Sequence, residues 1–222
     1  MPDYLAFERS TAFVCGGQTT ENKGIFDVLV PSDDPGGLPF GISCKMATAQ
    51  PRNRSWFMEL SNSAKKFHDA FGAAGVDWTK NPELAGQLLV DVVESWHDDV
   101  RDSVDVGRSK YLILAHDTAW KQFQIACLDL NLRRADPAAD VRWASEGRGA
   151  TPSSIAGYIE IEDGADLRLW QFYANSGGQL KYYPPIGWAE WTTPVFELEL
   201  PPVRDLRDKV DEYWPGSWPA ED

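Results

Sequence analysis

Gly24-Ile-Phe-Asp-Val-Leu-Val30 and Gly41-Ile-Ser-Cys-Lys-Met46, joined by Pro31-Ser-Asp-Asp-Pro-Gly-Gly-Leu-Pro39, decide how this chain folds. Two short apolar runs around a proline- and glycine-rich turn predict a hairpin with strands at about 25–30 and 40–47. In the second run Ile42, Cys44 and Met46 alternate with Ser43 and Lys45, so one face is apolar and the other polar. That alternation puts a lysine on the face of Ser43, next to the strand that carries Asp27. An ammonium and a carboxylate held inside an apolar hairpin cost free energy unless they are paired or bind something.

Working outward, the spacing predicts helix around Leu5–Cys15, stopped at Gly16-Gly17, and an amphipathic helix over 60–73 carrying Leu60, Ala64, Phe67 and Phe71. Asn81-Pro-Glu83 reads as a helix start: a capping side chain, a proline in the first turn and an acid at the positive end of the dipole. The helix that follows is expected to bury Leu84, Leu88, Val92 or Val93, Trp96 and Val100. Tyr111–Ala115 reads as a buried strand and Gln122–Leu130 as a half-exposed one, with loop over 133–153. Tyr158–Ile161, Arg168–Tyr173 and Gln179–Tyr183 read as antiparallel strands, and a short helix is expected near 204–213. The expected fold class is therefore α/β (α+β), a mixed central sheet flanked by helices. It forms one domain over 1–222, with a core at about 20–130 and a further β-rich part at about 150–200.

Bulk properties bound the function. At 222 residues and 43% hydrophobic composition the chain can bury a sizeable core. It has no apolar run of transmembrane length, and an N-terminus bearing Asp3 and Glu8 does not read as a signal peptide. Cys15, Cys44 and Cys127 have neither disulfide-framework nor zinc spacing, so reduced thiols in a cytoplasmic (bacterial) protein are expected. The net charge of −13 opposes indiscriminate phosphate binding and leaves room only for a local basic channel. His68 and His97 lie in predicted helices without a second histidine at metal spacing. His116-Asp117 lacks a nucleophile motif, and the paired glycines read as turns.

Asp27, seventeen intervening residues and Lys45 resemble the motif of the PD-(D/E)XK nuclease superfamily. In that pattern an aspartate and a second acid hold Mg²⁺, and a lysine two residues after the second acid serves the attacking water. Here the second acid is replaced by Ser43. Ser43-Cys44-Lys45, thirteen residues, then Glu59 resembles the Ser-X-Lys variant of restriction endonucleases that read CCGG-core sites, whose displaced acid lies on a later helix. Arg52-Asn-Arg54 partly echoes their basic recognition segment, without its Arg-Ser-Asp-Arg run. Phe57–Phe67 and Ser176–Tyr183 resemble segments of uncharacterised restriction-system proteins.

The resemblance implies a restriction-endonuclease-like core and a type II, sequence-specific, Mg²⁺-dependent endonuclease acting on double-stranded DNA as a homodimer. Asp27, Lys45 and Glu59 would be catalytic, with Asp27, Glu59 and the Cys44 carbonyl on the metal and Glu8 or Glu21 as an accessory acid. Arg52, Asn53, Arg54, Lys65, Lys66, Asn175, Gln179, Lys181 and Tyr182 would contact DNA. The residues also admit plainer readings. Asp27 and Lys45 would form a cross-strand ion pair, Glu59 would cap a helix, and the basic residues would be solvated. A different class of function fits the acidity: a non-catalytic acidic binding or inhibitor module of a defence system.

Overall fold

The computed structural model describes residues 3–20, 24–48, 54–132, 141–147, 152–161, 164–175, 178–198 and positions 208, 210, 212, 214 and 215. The elements run α1 (Tyr4–Cys15), β1 (Gln18–Thr19), β2 (Val28–Val30), β3 (Phe40–Thr48), β4 (Met58–Ser61), α2 (Lys65–Ala73), α3 (Pro82–Asp98) and β5 (Lys110–His116). Then follow β6 (Gln122–Asp129), β7 (Arg142–Glu146), β8 (Ser154–Glu160), β9 (Asp166–Tyr173), β10 (Leu180–Tyr182), a single 3₁₀ turn, β11 (Trp191–Thr192) and β12 (Phe196–Glu197). This is the mixed α+β class expected, but the strands divide between two sheets rather than sharing one. The first has the order β1-β2-β3-β5-β6-β11 with β12 also on β6, and the second β4-β10-β9-β8-β7.

The quoted hairpin forms the start of the first sheet, with Val28 opposite Ile42 and Val30 opposite Phe40. β3 runs parallel to β5, from Ile42 opposite Lys110 to Thr48 opposite His116. Parallel neighbours need a long crossover, and the segment carrying β4, α2 and α3 supplies it. α1 is capped by Asp3, whose carboxylate accepts the Ala6 N–H at 2.8 Å, and ends at Gly16 with φ 65°. It covers one face of the hairpin: Ala12 packs with Val28, Val30 and Ile42, and Phe7 with Leu114 and Phe123. The opposite face meets the main core, where Phe26 lies flat on Gly41 so closely that a Cβ there would sit 2.1 Å from its ring. Both faces of β3 are therefore covered, and Ser43, expected on a polar face, is buried at 2% exposure.

The main core runs from the first sheet through α2 and α3 into the second sheet. α3 buries Ala85, Gly86, Leu89, Val90, Val93 and His97, whereas Leu84 is 54% exposed. The buried stripe is thus turned about one residue from that expected. The cause is Gly86, which lets the Trp143 ring of β7 seat directly on the helix; a Cβ at Gly86 would lie 2.0 Å from that ring. Glu83 completes the joint by accepting the Trp143 N–H at 3.0 Å. The Asn81 side chain makes no cap bond, contrary to expectation. His97 meets the Tyr111 hydroxyl at 3.1 Å, and His68 contacts the Ala174 carbonyl, so in each a ring nitrogen is used in packing between elements.

Two further expectations are corrected. The helix placed at 60–73 begins only at Lys65, because Met58–Ser61 is an edge strand paired with β10 and Ser61 turns the chain by accepting the Ser63 N–H. The 133–153 loop contains β7, whose partner β8 starts at Ser154; residues 133–140 and 148–151 lie outside the described set. Of the helix near 204–213, only Asp208, Val210 and Glu212 are described, and they are helical.

A glycine inside a helix ordinarily costs about 1 kcal/mol relative to alanine, so Gly86→Ala on a free surface would stabilise. Against the Trp143 ring, overpacking outweighs that gain. Gly86→Ala is expected to lower stability by about 1–3 kcal/mol, seen as a lower denaturation midpoint in urea with an unchanged slope.

Candidate active site

The antiparallel pairing of β2 with β3 stops at Val28 and Ile42. One residue earlier Asp27 still donates its N–H to the Ile42 carbonyl at 3.0 Å, and its own carbonyl accepts from Thr20 at 3.1 Å. Beyond that point a side chain replaces the missing strand. Asp27 Oδ2 accepts the Cys44 N–H at 2.7 Å and stands 3.4 Å from the Ser43 hydroxyl, which donates to it. A charged acceptor on a backbone amide is stronger than an ordinary ladder bond. Because the N–H and C=O of one strand residue point the same way, the Cys44 carbonyl faces that open edge as well.

A cleft of about 670 Å³ opens at this edge, between α1 on one side of the sheet and β4 on the other. Asp27, Lys45 and Glu59 all line it. The three residues singled out as catalytic therefore share one cavity, although Glu59 reaches it from a strand and caps no helix. Glu59 stands opposite Lys181 of β10. α1 adds Glu8 and Arg9, and Asn62 and Thr20 complete the polar wall. Glu21, the other accessory acid considered, lies outside the described residues.

Burial dominates the electrostatics of the cleft. Burial holds the Glu8 carboxyl above the usual range, the nearby Asp27 charge pushes it further up, and the Lys45 ammonium pulls it down. The Cys44 thiol is pushed up to about 12, chiefly by burial, with Asp27 and Glu8 adding to the effect. It stays protonated, so Cys44 can offer the cleft only its carbonyl. Among the described residues Lys45 makes no ion pair within 4 Å, and the Asp27 carboxylate is spent on backbone and hydroxyl donors instead. The simple cross-strand ion pair is thus not formed.

The proposed DNA contacts fare unevenly. Arg52 and Asn53 lie outside the described residues. Lys65 is paired with Asp69 on the exposed side of α2, and the Lys66 ammonium sits 4.9 Å from the Trp96 ring centre. Tyr182 is corrected outright: it is 3% exposed and packs on Trp170, ring centres 4.4 Å apart, so it belongs to the core. Alternation along a three-residue strand puts its neighbour Lys181 on the outer face. Arg54, Asn175, Gln179 and Lys181 are exposed or half-buried, and none lines the cleft. Glu8 is the one α1 residue expected at the site; the rest of that helix face is the main omission. Tyr4, Leu5, Glu8 and Arg9 recur at helical spacing on one face, a signal present once that helix is drawn.

Among the described residues no group of three or more His, Cys, Asp or Glu side chains is close enough to cage a metal ion. The donors at the cleft are carboxylates and a carbonyl, all oxygen. Mg²⁺ is commonly held by one or two carboxylates with its own waters and a substrate phosphate, and that mode fits this donor set. A scan of protein-family models, a search of curated proteins and a search of solved structures each found no match.

The strand clasp and the cleft charge are separable at Asp27. Asp27→Ala leaves the Cys44 N–H without its acceptor and is expected to cost about 1–3 kcal/mol. Asp27→Asn retains an acceptor oxygen and is expected to lose less than about 1.5 kcal/mol. Thermal denaturation of the two variants checks this ordering.

Proposed function

We propose that this chain is a Mg²⁺-dependent endonuclease of the restriction type that hydrolyses phosphodiester bonds of DNA. The observation that carries the reading is the convergence of Asp27, Lys45 and Glu59, three residues from three separate segments, on one cleft where β2 releases β3. Asp27 and the Cys44 carbonyl would hold the ion, with Glu59 or Glu8 as the second carboxylate. Mg²⁺, when bound, supplies charge neutralisation at the phosphate and lowers the pKa of a coordinated water. The Lys45 ammonium, without a carboxylate partner within 4 Å among the described residues, would meet the attacking water or the phosphate oxygens. Asp27 is held by its bonds to Cys44 and Ser43 before any ligand arrives, so its carboxylate need not reorganise. One cleft per chain implies a two-fold dimer to cut both strands of a duplex.

Purified protein incubated with unmethylated phage DNA is expected to give discrete fragments with Mg²⁺ and none with EDTA. Lys45→Ala and Asp27→Asn are expected to slow cleavage by about a hundredfold or more while the fold persists; a variant that cuts at the parental rate removes the assignment. One observation favours the second reading, an acidic module for a basic partner. The chain carries a net −13, and Lys65 and Lys66 are engaged within α2 and α3 rather than at the cleft. Intact DNA under both conditions, with a folded protein, would favour it.

A further inference from the structure

The second sheet has a core face, seated on α3, and an outer face that reaches the cleft through Glu59. Register identifies the outer residues, since directly opposed residues share a face. One row runs Glu59, Lys181, Gln171, Ala156, Ala144 across all five strands. A second runs Tyr173, Ser154, Glu146, and a third Arg168, Tyr158, Arg142. A bulge on β9 keeps this face continuous, because Leu169 and Trp170 both turn into the core and return Arg168 to the outside.

The side chains of this face form one connected strip of cations on aromatic rings. Lys181 lies 4.9 Å from the Tyr173 ring centre and 5.4 Å from that of Phe57, whose ring is tilted against Tyr183 at 5.4 Å between centres. Arg168 and Arg142 lie over Tyr158 at 5.6 and 5.2 Å. Below them Glu146 accepts from Tyr158, Arg168 and Gln171, and Gln171 also donates to Ser154 at 3.2 Å. Gln171 is 3% exposed, and its carbonyl oxygen has no hydrogen-bond partner. A buried amide oxygen left unpaired is a cost that needs an explanation. In a chain of net charge −13, three cations over three rings form a local feature, with Arg142 also paired to Asp166 and Arg168 to Glu146, pairings a phosphate would have to replace.

We propose that this outer face binds unpaired nucleotides, bases stacking on Tyr158, Tyr173 and Tyr183 while Arg142, Arg168 and Lys181 meet the phosphates. Every base has a π-face, so aromatic rings interleaved with cations suit a single strand without demanding a sequence. Ala156, Gln171 and Ser154 in the middle of the face are themselves buried, at 0, 3 and 4% exposure, so the accessible part is the rim of rings and cations around them. The row ends at Glu59, which also lines the cleft, so a strand lying on the sheet would lead its backbone toward Asp27 and Lys45. The proposal rests on the nuclease reading and narrows its substrate to DNA presenting unpaired bases beside the scissile phosphate.

The test is fluorescence anisotropy in EDTA, so that binding is read without cleavage, using labelled oligomers of about 16 nucleotides: single-stranded DNA, single-stranded RNA and the blunt DNA duplex. The single strand is expected to bind at least about tenfold tighter than the duplex, with a strong salt dependence. Tyr173→Leu and the surface double variant Arg168→Gln/Lys181→Gln are each expected to weaken it about tenfold, and circular dichroism verifies their fold. RNA binding as tightly as DNA supports the face and marks it as indifferent to the sugar. Equal affinity for single strand and duplex, no binding of either, or double-variant affinity equal to that of the parent overturns the proposal. Metal-dependent duplex cleavage without single-strand binding would sink it while leaving the nuclease reading intact.

Discussion

The bond from the Cys44 N–H to Asp27 Oδ2 is the constraint on which the rest of this structure turns. A sheet edge that ends early leaves backbone amides without partners, and a buried one costs about 1–3 kcal/mol. Here a carboxylate stands in for the absent strand. That substitution lets β2 peel away from β3 and opens the cleft, and it anchors the acid at the cleft's mouth. The same atom thus serves strand termination and site geometry. Ser43, buried and donating to Asp27, reinforces the clasp from the position where the resembling motif ordinarily carries an acid.

What holds the cleft's two walls is packing at a distance from it. α1 is fixed to the hairpin through Ala12 and Phe7, and β4 belongs to a sheet whose other end is locked to α3 by the Gly86–Trp143 contact. Glu8 and Glu59 therefore both line the cleft because two separate pieces of core hold their backbones. Burial at the α1 wall raises the Glu8 carboxyl, the Asp27 charge adds to it, and the Lys45 and Arg9 cations pull it back down. A carboxyl raised by burial and a neighbouring charge is common at functional sites.

Much of this was legible in the residues. The alternation around Lys45, the glycine stop after Cys15 and the turn-bounded strands after Ser154 specified their elements, since each depends on local period and turn chemistry. Glu59 was found by spacing but placed on the wrong element. Leu60, Ala64, Phe67 and Phe71 share a helical period, and only the pairing of β4 with β10, more than a hundred residues later in the chain, shows that Leu60 is in a strand. The rotated face of α3 has the same origin, because Trp143 decides it from a segment that looked like loop. The division into two sheets, likewise, rests on long-range pairing that no local pattern encodes. Tyr182, which the resemblance places among the DNA contacts, goes to the core because alternation along its strand turns it inward.

The central claim is that Asp27 anchors a divalent ion at the cleft while also clasping β3, and calorimetric titration of Mg²⁺ and Mn²⁺ into the protein without DNA tests it most directly. Saturable binding in the parent protein, lost in Asp27→Asn while that variant unfolds near the parental temperature, is the predicted result. Equal binding by parent and variant, or no binding by the parent at millimolar metal, would contradict the account.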